Sequence, residues 1–401
     1  MNNTPPYARH YWKHTAAAVV LLCATVALQA EDEPAADNAA PVPYGMHAAE
    51  AVGLGPAMDS LGLTFSGWVE QSFSFNHNSP TDDSNTLHVF DDRANAYRFN
   101  QLVLSLDRPL GDGKEFDLGG KVELMYGADA RFIHERGLVD HLLEDHTLQF
   151  DPVQFYGLLR VPVGNGVVVK FGKYVTAHGA EVIDAPDNAL FSHSYLFGFA
   201  IPFSHTGVQF DYAINDQLSV YYGLVLGWDV WTDNNDSLSH MVGGSWTSSD
   251  QMMEVLVNFI IGPERRGENT DLRNVVDALM TYHWTERFST SVNADYGHES
   301  GLGGADDYWT GVAGYATYVF NPQLASTLRA EYFRDGTASR LGFTGDVVEL
   351  TGGLDIRPIR SFPNLRVRPE VRWDRAFGDT PFDGGTDNDQ LTLAVDAIVT
   401  F

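Results

Sequence analysis

Apolar and polar residues alternate with a period of two along most of the chain from Leu63 onward. In the segment 63–75 the odd positions are mainly apolar, whereas the even positions are mainly polar or charged. Successive side chains of a β-strand point to opposite faces, so this alternation predicts strands with one apolar face and one polar face.

The same pattern recurs often enough to predict sixteen strands. The eighth is the weakest, because His240, Met241 and Val242 leave it without a clean apolar face. The predicted strands span 63–75, 97–107, 116–128, 152–162, 166–173, 205–214, 217–228, 239–247, 251–262, 272–284, 287–297, 308–320, 323–334, 345–357, 364–375 and 390–401. Because proline cannot donate to a strand ladder, we also expect a β-bulge at Pro369.

Charged residues of the central strands fall on one face. Lys121 and Glu123 oppose Val122, and Arg366 opposes Val367. A charge on a lipid-facing strand costs about 2–4 kcal/mol near the bilayer midplane. The apolar faces therefore suit lipid, and the fold class that we predict is all-β: a transmembrane antiparallel β-barrel of about 16 strands.

A soluble β-sandwich is the alternative fold, since its strands also alternate, although with the polar face outside. An even number of strands favours a bacterial barrel. The lengths of the connections also favour a barrel. Short turns such as 215–216 and 321–322 would face the periplasm, and long loops such as 76–96 and 174–204 would face the outside of the cell. No run of about 18 apolar residues follows Ala30, which excludes a helical membrane span.

Composition and charge narrow the compartment and the partners. Residues 1–30 hold Arg9 and Lys13, then an apolar stretch and small residues, the order of a cleaved signal peptide. We expect 31–60 to be a flexible periplasmic extension and 61–401 to be an outer-membrane barrel. The formal net charge is −28, and it is −30 without the leader, whose removal leaves 23 basic and 53 acidic residues. A nucleic-acid partner is excluded, because the chain lacks a basic footprint.

Several segments resemble a known family of outer-membrane proteins. The last predicted strand ends on Phe401, and it looks like the closing strand that the barrel-assembly machinery reads. The residues that carry the wider resemblance are Gly67–Asn76, Phe171–Tyr174 with Gly179–Glu181, Ile201–Phe203 with Thr206–Val208, Gly227–Asp229 with Asp233–Asn235, and Leu365–Arg372. On these residues the chain resembles the β-barrel porins of the OmpL-like type, which implies a pore-forming barrel.

Sixteen strands enclose a water-filled channel, so charges on the inner wall are the candidate functional residues. The predicted pore-lining basic residues are Lys121, Arg160, Lys170, Arg329, Arg366, Arg368 and Arg372. The loop 174–204 carries Glu181, Asp184 and Asp187 among apolar residues. By resemblance to general porins, we expect this loop to fold into the barrel, to narrow it, and to set its acids across from the arginines, which would create a transverse field. The alternative is that the arginines only neutralise neighbouring acids.

The function predicted from these features is a porin for passive diffusion of small hydrophilic solutes and ions. A substrate-selective channel is the alternative, for anions if the arginines dominate or for cations if the net charge does. An outer-membrane enzyme or adhesin would carry its function on the loops. His193 beside Ser192 is a weak catalytic signal, so we expect no enzyme, no catalytic residue, no metal and no cofactor. Expected partners are outer-membrane lipid and lipopolysaccharide, and a homotrimer by resemblance to related porins.

Overall fold

The computed structural model describes residues 45, 46, 50, 53–111, 113–142, 146–302 and 305–401. A short helix, α1, spans Gly55–Leu61 and precedes sixteen strands. The strands are β1 Thr64–Asn76, β2 Ala96–Arg108, β3 Asp117–Gly127, β4 Gln149–Val161, β5 Val167–Val175, β6 Ser204–Ala213, β7 Leu218–Val225, β8 Ser239–Thr247, β9 Met253–Pro263, β10 Leu272–Thr285, β11 Phe288–Leu302, β12 Ala305–Asn321, β13 Leu324–Asp335, β14 Gly345–Ile356, β15 Leu365–Phe377 and β16 Asp389–Thr400.

The sixteen strands form one closed antiparallel barrel. Each strand pairs with its neighbours in the chain, and β1 pairs with β16 to close the sheet, with Val69 opposite Val399. Closure leaves no strand edge unpaired. The predicted all-β barrel and its number of strands are confirmed, including the eighth strand, which pairs with β7 and β9.

The two faces of the barrel wall differ as the alternation predicts. On β14, Glu349 and Thr351 are buried toward the interior, whereas Leu350 between them is 55% exposed on the outside. On β15, Arg372 is buried, and Val371 and Trp373 are exposed. Within the described residues, no helix is long and apolar enough to cross a membrane.

The β-bulge expected at Pro369 is absent. Pro369 lies opposite Val395 of β16 in an unbroken register, and β14 keeps the same register with β15 on both sides of the proline. Instead, the pairing with β14 lapses between Gly353 and Ile356. The strand therefore tolerates its missing N–H through a gap in one ladder rather than through an extra residue.

The amino-terminal expectations fall mostly outside the described residues. The proposed signal peptide, 1–30, lies outside them, and so do residues 31–44 of the proposed extension. Residues at the end of that extension are helical, because Gly55–Leu61 form α1, which ends on Gly62 in the left-handed conformation. A glycine suits that position, since it has no Cβ to clash there.

The lipid-facing assignment predicts a position-dependent cost of charge. We expect Leu350→Arg, in the middle of β14, to lower the free energy of unfolding in lipid by about 2–4 kcal/mol, because the charge meets hydrocarbon. The control Leu350→Met keeps an apolar side chain. Urea unfolding in lipid vesicles measures the difference, and equal stability of the two variants would contradict the assignment.

Candidate functional site

The long loop between β5 and β6, residues 176–203 and here called loop L3, lies inside the barrel. It leaves β5 and immediately contacts strands farther around the wall. The Asn258 side chain on β9 donates to the Ala177 carbonyl at 2.8 Å. The Ala180 N–H donates to Asn293 of β11 at 3.0 Å. These contacts place the start of loop L3 against the inner wall.

The tip of loop L3 reaches the far side of the barrel. Gln101 on β2 donates to the Ile183 carbonyl at 2.9 Å and accepts from the Ala185 N–H at 3.3 Å. Ile183 and Ala185 also belong to a buried apolar cluster with inward-facing Trp68 and Val103 of β1 and β2. Loop L3 therefore follows the wall from β9 to β2 and excludes water from that part of the interior.

Arg329 of β13 holds the middle of loop L3. Its guanidinium contacts Glu349 of β14 at 2.6 Å and Glu181 of the loop at 2.7 Å. It also donates to the Ser192 carbonyl at 2.6 Å. Because a guanidinium carries five N–H donors in a planar fork, one side chain can bind the wall and the loop together.

Arg368 of β15 is the most heavily used of these anchors. It pairs with Asp396 of β16 at 2.6 Å. The same side chain donates to the carbonyls of Ala185, Asn188 and Leu190 at 3.1, 2.7 and 3.0 Å. Only 2% of the Arg368 surface is exposed, so the carbonyl groups of the loop replace water as hydrogen-bond partners of its guanidinium.

Two further arginines of β15 repeat this arrangement. Arg366 pairs with Asp355 at 2.9 Å and donates to the Pro186 and Asn188 carbonyls. Arg372 pairs with Asp374 at 2.8 Å and donates to the His193 carbonyl at 2.6 Å. The arginines of β13 and β15 thus bind loop L3 from Glu181 to His193.

Wall carboxylates bind loop N–H groups in the opposite sense. Glu331 of β13 accepts from the Tyr195 and Leu196 N–H groups, both at 2.7 Å. Glu370 of β15 accepts from the Phe191 N–H at 3.0 Å. The role of these acids as loop anchors was not predicted from the sequence. For Glu370, the signal in the sequence is the alternation of basic and acidic residues from Arg366 to Asp374.

The predicted arginine wall is not exposed to the lumen. Arg329, Arg366, Arg368 and Arg372 are at most 9% exposed, because loop L3 covers them. Their contacts agree better with the alternative hypothesis, in which the arginines neutralise neighbouring acids. In addition, the arginines donate hydrogen bonds to carbonyl groups of loop L3.

The three predicted loop acids separate into two groups. Glu181 is buried in its ion pair with Arg329. Asp184 is half-buried, and Asp187 is exposed. Burial and the nearby charge of Glu123 raise the pKa of Asp184 to about 8. The expected placement of the loop acids across from the arginines therefore describes Glu181, which touches Arg329 directly.

The remaining predicted basic residues lie on β3, β4 and β5, away from the arginine anchors of β13 and β15. Lys121 of β3 pairs with Glu123 at 2.6 Å and keeps 20% of its side chain exposed. Arg160 of β4 donates to the Gly111 and Gly113 carbonyls of a short turn at 2.5 and 2.7 Å.

A cavity of about 520 Å³ lies beside this wall. Its lining runs from the short turns at Lys114 and Asn165, past Gln209 and Asp211, to Asn258 of β9 and to Ala177 at the start of loop L3. The cavity therefore connects the turn end of the barrel with the start of the loop.

The weak catalytic signal has a structural explanation. Ser192 accepts a hydrogen bond from Arg329 at 3.1 Å, and the His193 ring contacts the Val182 carbonyl at 3.2 Å. Burial lowers the pKa of His193 to about 4, so this ring is neutral at pH 7 and donates to that carbonyl. Both side chains thus take part in the packing of loop L3. In the described part of the chain, no three His, Asp or Glu side chains converge as a metal site.

Residues 62–401 match the family described as "Putative beta-barrel porin-2, OmpL-like". The chain belongs to this family. No curated protein matches this porin. The match covers the whole barrel, and the predicted resemblance is confirmed.

Solved structures of outer-membrane proteins share the fold at low sequence identity. The outer membrane channel DcaP of Acinetobacter baumannii is 12% identical with a TM-score of 0.53, over 84% of this chain and 97% of that one. The trimer form of OmpT of Vibrio cholerae is 12% identical with a TM-score of 0.56, over 84% and 99%. An anion-selective porin from Comamonas acidovorans is 10% identical with a TM-score of 0.54, over 84% and 99%. Family and fold together place this porin in the outer membrane as a channel protein.

The anchoring network predicts the effect of removing one arginine. Arg368→Met leaves the buried Asp396 without its partner and three loop carbonyls without donors. We expect a loss of about 3–5 kcal/mol in the free energy of unfolding and faster amide exchange across 183–193. The matched control is Arg375→Met on the same strand, whose ion pair with Asp389 is exposed and contributes about 0–1 kcal/mol. Similar exchange in both variants would contradict the anchoring role.

Proposed function

We propose that this porin conducts small hydrophilic solutes and ions by passive diffusion, and that loop L3 constricts the channel. The observation that carries the proposal is the attachment of loop L3 to β13 and β15, by arginines that donate to its carbonyls and carboxylates that accept from its N–H groups. A loop held by these hydrogen bonds narrows the channel inside the barrel at all times, so the constriction needs no separate gating segment.

The proposed path runs along the wall of β3 to β9 toward the turn end of the barrel, where the cavity lies. The cavity at the turn end supports this path, because Gln209, Asp211 and Tyr221 line it from strand faces that point inward. Lys121, Arg160 and Lys170 border the same side. Loop L3 contributes Asp184, which lies near the charges of Glu123 and Lys121 on β3, and the exposed Asp187.

The burial of the arginines bears on ion preference. Arg329, Arg366, Arg368 and Arg372 are paired with acids or carbonyls behind loop L3, so their field on the path is weakened. This arrangement removes the main reason for anion selectivity. We propose a channel with weak ion preference, set by the few charges that the path meets directly.

We also propose partners and an assembly. The barrel surface would contact outer-membrane lipid and lipopolysaccharide, and the barrel-assembly machinery would recognise the last strand at Phe401. Phe401 pairs with Gly67 of β1 through two backbone hydrogen bonds, at the seam where the barrel closes. A homotrimer is the proposed assembly, by analogy with the trimer form of OmpT. No catalytic activity is proposed, since Ser192 and His193 are engaged in holding loop L3.

The proposed channel is tested by planar-bilayer conductance and by liposome swelling with sugars of graded size. We expect a steady conductance in KCl, and swelling that falls off sharply with sugar size because of loop L3. Replacing 182–192 by a short Gly–Ser linker should raise both the conductance and the size limit. A wild-type barrel that passes neither ions nor the smallest sugar would contradict the proposal.

The raised pKa of Asp184 predicts a pH-dependent ion preference. Asp184 is mostly protonated below a pKa of about 8 and ionised above it. Raising the pH from 7 to 9 therefore adds a negative charge to the path and should shift the reversal potential in a KCl gradient toward cations. Asp184→Asn should remove most of this shift, whereas Glu286→Gln, on an exposed turn, should retain it. An equal shift in both variants would contradict the assignment.

A further inference from the structure

Two opposite charges on neighbouring strands face the interior of the barrel without pairing, and one of them, Asp211, lines the cavity of the proposed path. Lys170 of β5 lies opposite Gln209 of β6, and Asp211 is two residues farther along β6 on the same face. The Cα atoms of such diagonal neighbours are about 7–8 Å apart in a sheet. Within the described residues, the Lys170 ammonium has no ion pair and no hydrogen bond, and Asp211 has no ion pair.

The Lys170 ammonium contacts aromatic rings rather than an acid. Its Nζ lies 5.4 Å from the centre of the Tyr156 ring and 5.2 Å from that of Tyr174. Ring faces attract a cation and use none of its N–H donors. The other charged anchors of the interior differ, since Lys121 is paired with Glu123 and Arg368 with Asp396. The donors of Lys170 therefore remain available for a solute.

The Asp211 carboxylate is also held in place, and it keeps unused positions for accepting hydrogen bonds. Gln209 donates to its Oδ1 at 2.7 Å. A carboxylate has about four acceptor positions, so one such bond leaves most of them open. Asp211 also lines the cavity of about 520 Å³ at the start of loop L3, together with Tyr221 and Asn258. Tyr221 donates to Asn258 at 3.0 Å, which gives this side of the cavity a rigid polar surface.

We propose that Lys170 and Asp211 form a subsite for small zwitterionic solutes, in particular free α-amino acids. The solute carboxylate would accept from Lys170, and its ammonium would donate to Asp211. In an α-amino acid these groups are about 2.5 Å apart, and charge-assisted hydrogen bonds add about 2.8 Å at each end. A zwitterion can thus bridge two charges that do not reach each other. This subsite rests on the proposed function, because it lies in the proposed path.

Other small solutes match the subsite less well. An anion that binds Lys170 meets the like charge of Asp211, and a cation that binds Asp211 meets Lys170. Like charges at this distance lower affinity, and an uncharged sugar gains neither ion pair. The pair therefore favours solutes that carry both charges on neighbouring atoms.

The test compares solutes of similar size in liposomes that contain the full-length mature porin. The probes are glycine as the zwitterion, glycolate as the anion, glycinamide as the cation and glycolamide as the neutral solute. We expect glycine to enter several-fold faster than each of the others. Lys170→Gln and Asp211→Asn should each remove this advantage, with rates normalised to the KCl conductance of the same variant.

A charge exchange sharpens the test. In Lys170→Asp combined with Asp211→Lys, glycine can bind in the reverse direction, so the advantage should return. Arg334→Gln, whose ion pair with Asp346 is exposed on the outside of the barrel, is the control and should keep it. Conductance in KCl without faster glycine entry, or equal entry of glycolate and glycine, would overturn the subsite alone. Absence of KCl conductance would overturn the proposed channel as well.

Discussion

Buried arginines need hydrogen-bond partners, and this need organises the interior of the barrel. Arg329 and Arg368 face inward and are almost without solvent. Removing a guanidinium from water is costly unless its donors are satisfied. The neighbouring acids supply some partners, and the carbonyls of loop L3 supply the rest. If loop L3 lay outside the barrel, these arginines would face water. Because the loop lies inside, the arginines bind it to the barrel wall.

The position of loop L3 also explains why parts of the inner wall are apolar. Val103, Met125, Met241 and Ile260 point inward, and each is at most 2% exposed. In an empty water-filled barrel such side chains would lose hydrophobic stabilisation. Here they pack against loop residues in two buried clusters. Ion pairs set the position of the loop, and apolar contact removes water from around them, which strengthens the ion pairs.

The two charged walls of the barrel therefore have different roles. The arginines on β13 and β15 are structural, because they are paired and covered. The wall of β3 to β9 keeps partly exposed charges such as Lys121 and Lys170, and Asp211 of this wall lines the cavity. Selectivity is proposed to arise on the second wall, where a passing solute finds charges that still have free donors and acceptors.

The strands could be predicted from the sequence because their signal is local. Alternation within about ten residues indicated most of the strands, and Arg366, Arg368 and Arg372 are buried on the inner face as predicted. Even the strand 239–247, whose pattern is weak, pairs with both of its neighbours. The route of loop L3 could not be predicted residue by residue. It depends on contacts such as Arg368 with Asn188, which are far apart in sequence, so the arginines were expected on the lumen surface. The gap beside Pro369 could not be predicted either. The sequence does not show whether a bulge or a gap in the ladder accommodates the missing N–H donor of the proline.

The most direct test of a loop held against the arginine wall is the chemical accessibility of its two faces. The sequence has a single cysteine, Cys23, which lies in the proposed leader, so engineered thiols in the mature barrel have no background. Ala189 is exposed and Ala185 is buried beneath Arg368. With a charged, water-soluble thiol reagent, Ala189→Cys should react quickly and lower the conductance, whereas Ala185→Cys should stay unmodified. Equal reaction rates at both positions would show that loop L3 is not held against the wall.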